Sequence, residues 1–363
     1  MRGLKTLLTA VGLFAVALVQ AQVPAGYPAD YKSVLDGAKK EGKVVVYATT
    51  DAKLITPLLK DFEAQFPGVK VEYGDMNSTE LYNRFVSESA ANAASADVTW
   101  SSSMDLQIKL ANDGLAAVYK SPEAGALPDW ARFKDMVYAT TFEPIAIVYN
   151  KRLVPADEVP KTHADFVKLL TTKADKYNKK VTTYDAEKSG VGFMLVNQDA
   201  KLDPHFWELV KAMGARGVSL QSSTGTMMER IASGENLIGY NILGSYAITR
   251  AKKDPSIGVQ ITTDYNLVIS RLAFIAKNAR HPNAARLFVD YLLSKRGQTI
   301  MAEQADLYSV RTDITGKDSG TGLAKEYGNA IKPIPVTADL LAGLEQAKRL
   351  EFIKQWQTSL GRK

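Results

Sequence analysis

The sequence predicts an α/β protein of two lobes that meet at a cleft, and three observations carry that expectation. The stretch KVVVYATTDAKLITPLLKDFEAQFPGVKVEY, Lys43 to Tyr73, reads as strand, polar turn, amphipathic helix and second strand. Its β-branched run gives way after Thr49-Thr50-Asp51 to apolar residues at helical spacing, Leu54, Ile55, Leu58, Leu59, Phe62 and Phe66. The same succession recurs at Ala96 to Asn112, with Ser101-Ser102-Ser103 as the turn, and again in the second half of the chain. Finally, two extended segments, Tyr138 to Asn150 and Leu267 to Ala276, read as crossings between lobes. Together these imply a discontinuous first lobe with a second inserted into it, an arrangement suited to hinge closure.

In chain order, Met1 to Ala21 has basic Arg2 and Lys5, an apolar run from Leu7 to Val19 and a small-residue site, the pattern of a cleaved secretory signal. No later stretch approaches the roughly 18 apolar residues of a membrane span, so an exported, periplasmic protein is expected. Residues 27–140 and 270–363, C-terminal helix included, are assigned to lobe 1, and residues 141–269 to lobe 2. Tyr27 to Lys40 reads as a helix closed by Gly42; Pro57 makes the next helix begin after about Lys53 or bend. Asn77 and Glu80 form a capping pattern before Leu81, Tyr82, Phe85 and Val86. Lys180 to Tyr184, Val218 to Gln221 and Asn236 to Asn241 read as strands, with helices at Phe206 to Gly214 and Met227 to Ser233. Pro282 to Leu293 reads as an amphipathic helix, and Ala338 to Gln357 as a last helix ending near Trp356.

Composition removes several function classes. Of 363 residues 46% are hydrophobic, enough for a substantial core, and none is cysteine. Disulfides, thiolate metal sites and cysteine nucleophiles are therefore absent. The formal charge of +6 falls to +4 once Arg2 and Lys5 leave with the signal, and acids and bases alternate without an aromatic-interleaved basic run. Nucleic acid is not an expected partner. His163, His205 and His281 are scattered rather than clustered, and no GxSxG or HExxH occurs, so neither a metal site, a cofactor nor an enzyme is expected.

Six segments, taken in order, resemble one family. They are the opening stretch, ADVTWSSSMDLQIKLANDGLA, FEPIAIVYNKRL, VTTYDAEKSGVGF, MMERIASGENLIGYN and HPNAARLFVDYLLSKRGQ. They are similar to the type II periplasmic solute-binding proteins of ABC importers, in the branch of ferric-ion, sugar-phosphate, phosphoglycerate and phosphonate binders. The resemblance implies the type II periplasmic-binding-protein fold, capture of a small solute and delivery to a membrane permease, with a monomer expected. A sensory role toward a membrane kinase is an alternative.

The ligand class turns on one departure from that family. Where ferric binders carry adjacent tyrosines, this chain has Tyr240-Asn241-Ile242-Leu243-Gly244-Ser245-Tyr246. Iron is the alternative, and a small organic anion, a phosphate ester or phosphonate before a carboxylate, is the expectation. In the resemblance the segments at Ser189-Gly190-Val191 and at Thr224 hold an anion. Physically, both open helices whose free amides and hydroxyls suit anionic oxygens. The expected ligand-binding residues are Thr49, Thr50, Asp51, Ser101, Ser102 and Ser103 from lobe 1, and Tyr184, Ser189, Gly190, Val191, Ser222, Thr224, Gly225, Asn241 and Tyr246 from lobe 2. Asp51 suits a ligand hydroxyl or amine rather than a phosphate. Glu143 and Arg271 are expected at the hinge, where mutual pairing competes with ligand contact.

Overall fold

A computed structural model describes residues 23–362, and the expected signal segment lies outside them. The first lobe begins with α1 (Lys32–Glu41), β1 (Lys43–Ala48), α2 (Ala52–Gln65), β2 (Lys70–Asp75), α3 (Ser78–Ala90), β3 (Val98–Ser101) and α4 (Met104–Asn112). Gly42 closes α1 at a φ of 75°, a left-handed position that needs glycine. α2 starts at Ala52 and continues past Pro57. The short strands β4 (Arg132–Phe133) and β5 (Val137–Ala139) lead to the first crossing.

The second lobe then supplies β6 (Glu143–Asn150), α5 (His163–Thr172), α6 (Ala174–Tyr177), β7 (Val181–Tyr184), α7 (Gly190–Leu202) and α8 (Phe206–Ala215). It continues with β8 (Ser219–Gln221), α9 (Thr224–Ala232), β9 (Ile238–Leu243), α10 (Gly244–Lys253), β10 (Ile257–Gln260) and β11 (Asn266–Ile269). The chain returns through β12 (Leu272–Ile275), α11 (Pro282–Leu293), α12 (Lys295–Ala305), α13 (Gly320–Tyr327), β13 (Ile331–Pro333) and α14 (Gln346–Ser359).

Two sheets result. One is ordered β2-β1-β3-β12-β5-β4, the other β13-β11-β6-β9-β7-β8 with β10 paired to β6. In the first sheet β1 runs parallel to both β2 and β3; in the second β7 runs parallel to β8 and β9. Each parallel pair is connected through a helix, so the carboxyl ends of these strands and the amino ends of the following helices share one edge. Those edges face each other across the cleft.

The crossings fall where the chain leaves one sheet for the other, between β5 and β6 and between β11 and β12. They are tied together: the Thr140 amide donates to the Arg271 carbonyl at 2.9 Å, and the Ser270 hydroxyl bonds the Thr141 carbonyl. The apolar interior of the first lobe stacks Phe62 against Phe288 and Tyr291, and Phe85 edge-on against Phe274.

The tail departs from the sequence reading. The expected single helix is divided, with a 3₁₀ segment Ala338–Leu344 packed on α4 and α14 beginning at Gln346. β13 joins the second sheet beside β11, and α14 packs on α8. Trp356 is fully buried with Phe206, Leu209 and Met213, while Phe352 packs edge-on against Phe193 and tilted against Trp207. The C-terminal helix expected in the first lobe thus packs on the second, because its aromatic face finds its apolar partners there. Among the described residues no helix is long and apolar enough to cross a membrane.

Candidate functional site

The facing sheet edges enclose a cleft of about 240 Å³. Its first wall is the turns after β1, β2 and β3: Thr49, Asp51, Asp75, Met76, Asn77, Ser78 and Ser102. Its second wall is Tyr184, Val191, the run Ser222 to Gly225, Leu243 and Tyr246. Its polar groups come from strand-to-helix turns, strand ends and the first turns of the following helices, which is why short polar runs after apolar strands could mark much of it in the sequence.

The first wall is prearranged by its own hydrogen bonds. Thr49 Oγ1 accepts from the Ser102 amide at 2.9 Å and lies 3.2 Å from the Ser102 hydroxyl, joining two turns. Asp75 accepts the Ala52 amide at 2.8 Å through Oδ2, steadying the start of α2. Asn77 caps α3 by accepting from the Glu80 amide at 2.9 Å, as its spacing from Glu80 predicts. In the second wall the cap of α9 is Ser223, which accepts from the Thr226 amide at 3.2 Å, and Thr224 is the first helical residue. Its hydroxyl pairs with Tyr184, and as first-turn residues Thr224 and Gly225 have amides without an intrahelical acceptor.

Five expected residues point elsewhere than into the cleft. Thr50 is buried behind it, with its carbonyl accepting from Tyr73 at 2.7 Å. Ser101 and Ser103 are used within their turn: Ser101 Oγ accepts the Ser103 amide and the Ser103 hydroxyl donates to Asp105. Ser189 caps α7 through the Gly192 amide. Asn241, at a left-handed φ of 59°, donates instead to Asp199 at 2.7 Å in a separate buried cluster with Tyr240 and Tyr265.

The start of α7 carries the largest revision. Its amides, expected to hold an anion, are taken by hydroxyls of the opposite lobe: Gly190 donates to Thr79 Oγ1 at 3.1 Å and Val191 to Ser78 Oγ at 3.2 Å. Thr79 in turn donates to the Lys188 carbonyl at 3.1 Å. This clasp ties the two lobes together directly. A Cβ on Gly190 would lie 2.8 Å from Leu106 and about 3 Å from the Ser103 and Ser78 hydroxyls, so glycine is what permits the close approach. Residues the sequence reading missed are Asp75, Met76, Asn77, Ser78 and Leu243; the Asp75 to Ser78 turn was legible only as a helix cap.

Charge in the cleft is one-sided. None of its lining residues is basic, while Asp51 and Asp75 each keep a carboxylate oxygen free of protein donors among the described residues. Tyr246 bridges the mouth, donating to Asp51 Oδ1 at 3.0 Å and accepting the Asp51 amide at 3.1 Å. Burial raises the pKa of Tyr184 and pushes that of Tyr246 up to about 12, so both phenols stay protonated. Behind the cleft Arg271 and Glu143 are both fully buried and paired through two bonds of 2.9 and 3.1 Å. Burial opposes the guanidinium charge, yet Glu143 more than restores it and leaves the Arg271 pKa raised. The remaining Arg271 Nη1 donates to the Thr49 carbonyl at 3.2 Å, linking hinge to cleft wall.

Residues 57–322 match the family described as bacterial extracellular solute-binding protein. The chain belongs to that family. A substrate-binding protein of an ABC transporter from Agrobacterium tumefaciens is 36% identical, with 90% of this chain and 96% of that one covered and a TM-score of 0.85. AfuA from Actinobacillus pleuropneumoniae, solved with fructose-6-phosphate, is 20% identical at a TM-score of 0.71, covering 88% and 99% of the two chains. Iron-bound HitA from Pseudomonas aeruginosa is 19% identical at a TM-score of 0.67, covering 87% and 99%. These likenesses bear out the type II periplasmic-binding-protein fold. The chain is the substrate-binding component of an ABC transporter, a non-enzymatic protein that carries a small ligand to a permease.

Proposed function

We propose that this solute-binding protein captures a small organic anion bearing hydroxyl groups, a phosphate ester or phosphonate before a carboxylate, in the periplasm, as a monomer. The observation that carries the reading is the opening of α9 into the cleft. There the Thr224 and Gly225 amides and the Ser222 and Ser223 hydroxyls lie beside a positive helix end, a combination that suits anionic oxygens. Asp51 and Asp75 on the opposite wall repel a bare phosphate but accept from hydroxyls. The ligand therefore turns its anionic end to α9 and its donor-rich end to β2 and α2. A cavity of about 240 Å³ lies below the roughly 300–1,000 Å³ of drug-sized sites, which favours a compact solute.

Fructose-6-phosphate in the AfuA structure is a ligand of this description, held on a similar fold. Iron is held on a similar fold too, in HitA. Ferric capture calls for phenolates or a carboxylate cage, whereas the Tyr184 hydroxyl is engaged with Thr224 and the Tyr246 hydroxyl with Asp51. Among the described residues no group of three or more His, Cys, Asp or Glu is placed to hold a metal ion.

A thermal-shift screen across phosphate esters, phosphonates, dicarboxylates, neutral sugars, amines and ferric salts tests the reading. A ligand at 100 times its dissociation constant adds about 2.7 kcal/mol of stability. Shifts are expected for the hydroxylated anions; shifts confined to neutral sugars, amines or ferric salts overturn the proposal.

A further inference from the structure

The cleft ends on its outer side at one interlobe pair. Tyr246, in the first turn of α10, reaches Asp51 before the first turn of α2, through the two hydrogen bonds already described. Beyond the pair lies a second, open cavity of about 670 Å³, and Asp51, Gly225 and Tyr246 form walls of both cavities. Its other walls include Leu54, Pro57 and Met228, alongside Lys53 and Arg250. The compartment that holds the solute and the larger groove outside it are therefore separated by little more than one phenol ring.

That ring is supported at both ends. Its hydroxyl is fixed by Asp51, and the Arg271 guanidinium lies 5.5 Å from its centroid, locked in turn to Glu143. We propose that Tyr246 sets the maximum length of the solute. Its ring closes the far end of the compartment, so a solute that fills the inner cleft is accepted and one that needs the outer groove is turned away. The inference rests on the proposed anion reading: with the anionic end seated at α9, the rest of the solute has no free length except toward β2 and the Tyr246 wall.

The test is a series of polyol phosphates of rising length, glycerol, erythritol, ribitol and sorbitol phosphates, titrated calorimetrically against the intact mature chain. The quantity read is the ratio of dissociation constants between the longer and shorter members. Tyr246→Ala is expected to move that ratio toward the longer members by about tenfold or more, the scale on which pocket size discriminates solutes. Tyr246→Leu, also smaller than tyrosine and apolar, moves it the same way and serves where the alanine variant does not fold. Tyr246→Phe, which keeps the ring over Arg271, leaves the wild-type ratio. An equal loss of affinity for every member in Tyr246→Ala and Tyr246→Leu overturns the length limit while leaving the anion reading intact. Failure of the wild-type chain to bind any member, while it binds a neutral, cationic or ferric ligand, overturns the anion reading and this inference with it.

Discussion

Glu143→Gln removes a charge from the hinge while almost preserving its shape. In the native chain the Glu143 carboxylate and Arg271 guanidinium have no exposure and meet through two bonds of 2.9 and 3.1 Å. The Thr141 hydroxyl, at 2.8 Å, and the Ser245 hydroxyl complete the carboxylate, and the Thr49 carbonyl takes a further guanidinium proton. Glutamine leaves that guanidinium in a water-free site without its counter-ion. Breaking a buried pair from one side costs about 3–5 kcal/mol, and Arg271→Met, which strands the carboxylate, falls in the same range. Removing both charges at once leaves neither stranded. The double variant is therefore expected to be more stable than the sum of the single losses predicts, by about 1–3 kcal/mol. Urea midpoints for the four proteins, at constant denaturant slope, give the cycle. Single losses below about 1 kcal/mol, the scale of exposed pairs, or strict additivity would refute the claim that a desolvated charge pair locks the crossings.

Further consequences concern the clasp, the cores and pH. Ser78→Ala with Thr79→Val removes hydroxyls worth about 0.5–1.5 kcal/mol per hydrogen bond; the ligand-free variant is expected to open, with a larger radius of gyration in solution scattering, and an unchanged radius contradicts the clasp. Trp356→Ala is expected to cost about 3–5 kcal/mol because the indole fills the second lobe's core; a loss within about 0.5 kcal/mol would show that the tail is peripheral. Burial pushes the Asp290 carboxyl up to about 6, against the donors Ser121, Tyr119 and Tyr31. An acid whose folded pKa is raised holds its proton longer when folded, so its contribution to stability is present below the unfolded pKa near 4 and is lost as pH rises to about 6. Asp290→Asn should therefore be less damaging at pH 7 than at pH 4, by about 3 kcal/mol for a shift of roughly two units, and equal urea-midpoint losses at the two pH values contradict this.

Much of the architecture was legible because period and punctuation agree: β-branched runs, then polar turns, then helical spacing. What hid was the direction of side chains at the turns. Thr49 and Thr50 are equivalent in composition, yet the turn after β1 places one in the cleft and the other behind it. Asn241 lies within β9, whose last residue reaches the cleft, but its left-handed backbone aims it at Asp199, and no local pattern announces that conformation. Gly190 and Val191 have the amides of an anion site; only the three-dimensional closeness of Ser78 and Thr79 shows those amides to be occupied. The same limit applies to α14, whose apolar face is plain in the sequence while the lobe it packs on is a long-range matter.

The most direct measurement is of the backbone amides themselves. In an isotope-labelled chain titrated with a polyol phosphate, the account predicts that the amide protons of Thr224 and Gly225 move strongly downfield as they acquire a charged acceptor, while Gly190 and Val191, already bonded across the clasp, move little. Saturable binding that leaves Thr224 and Gly225 unmoved, or that shifts Gly190 and Val191 instead, would contradict it.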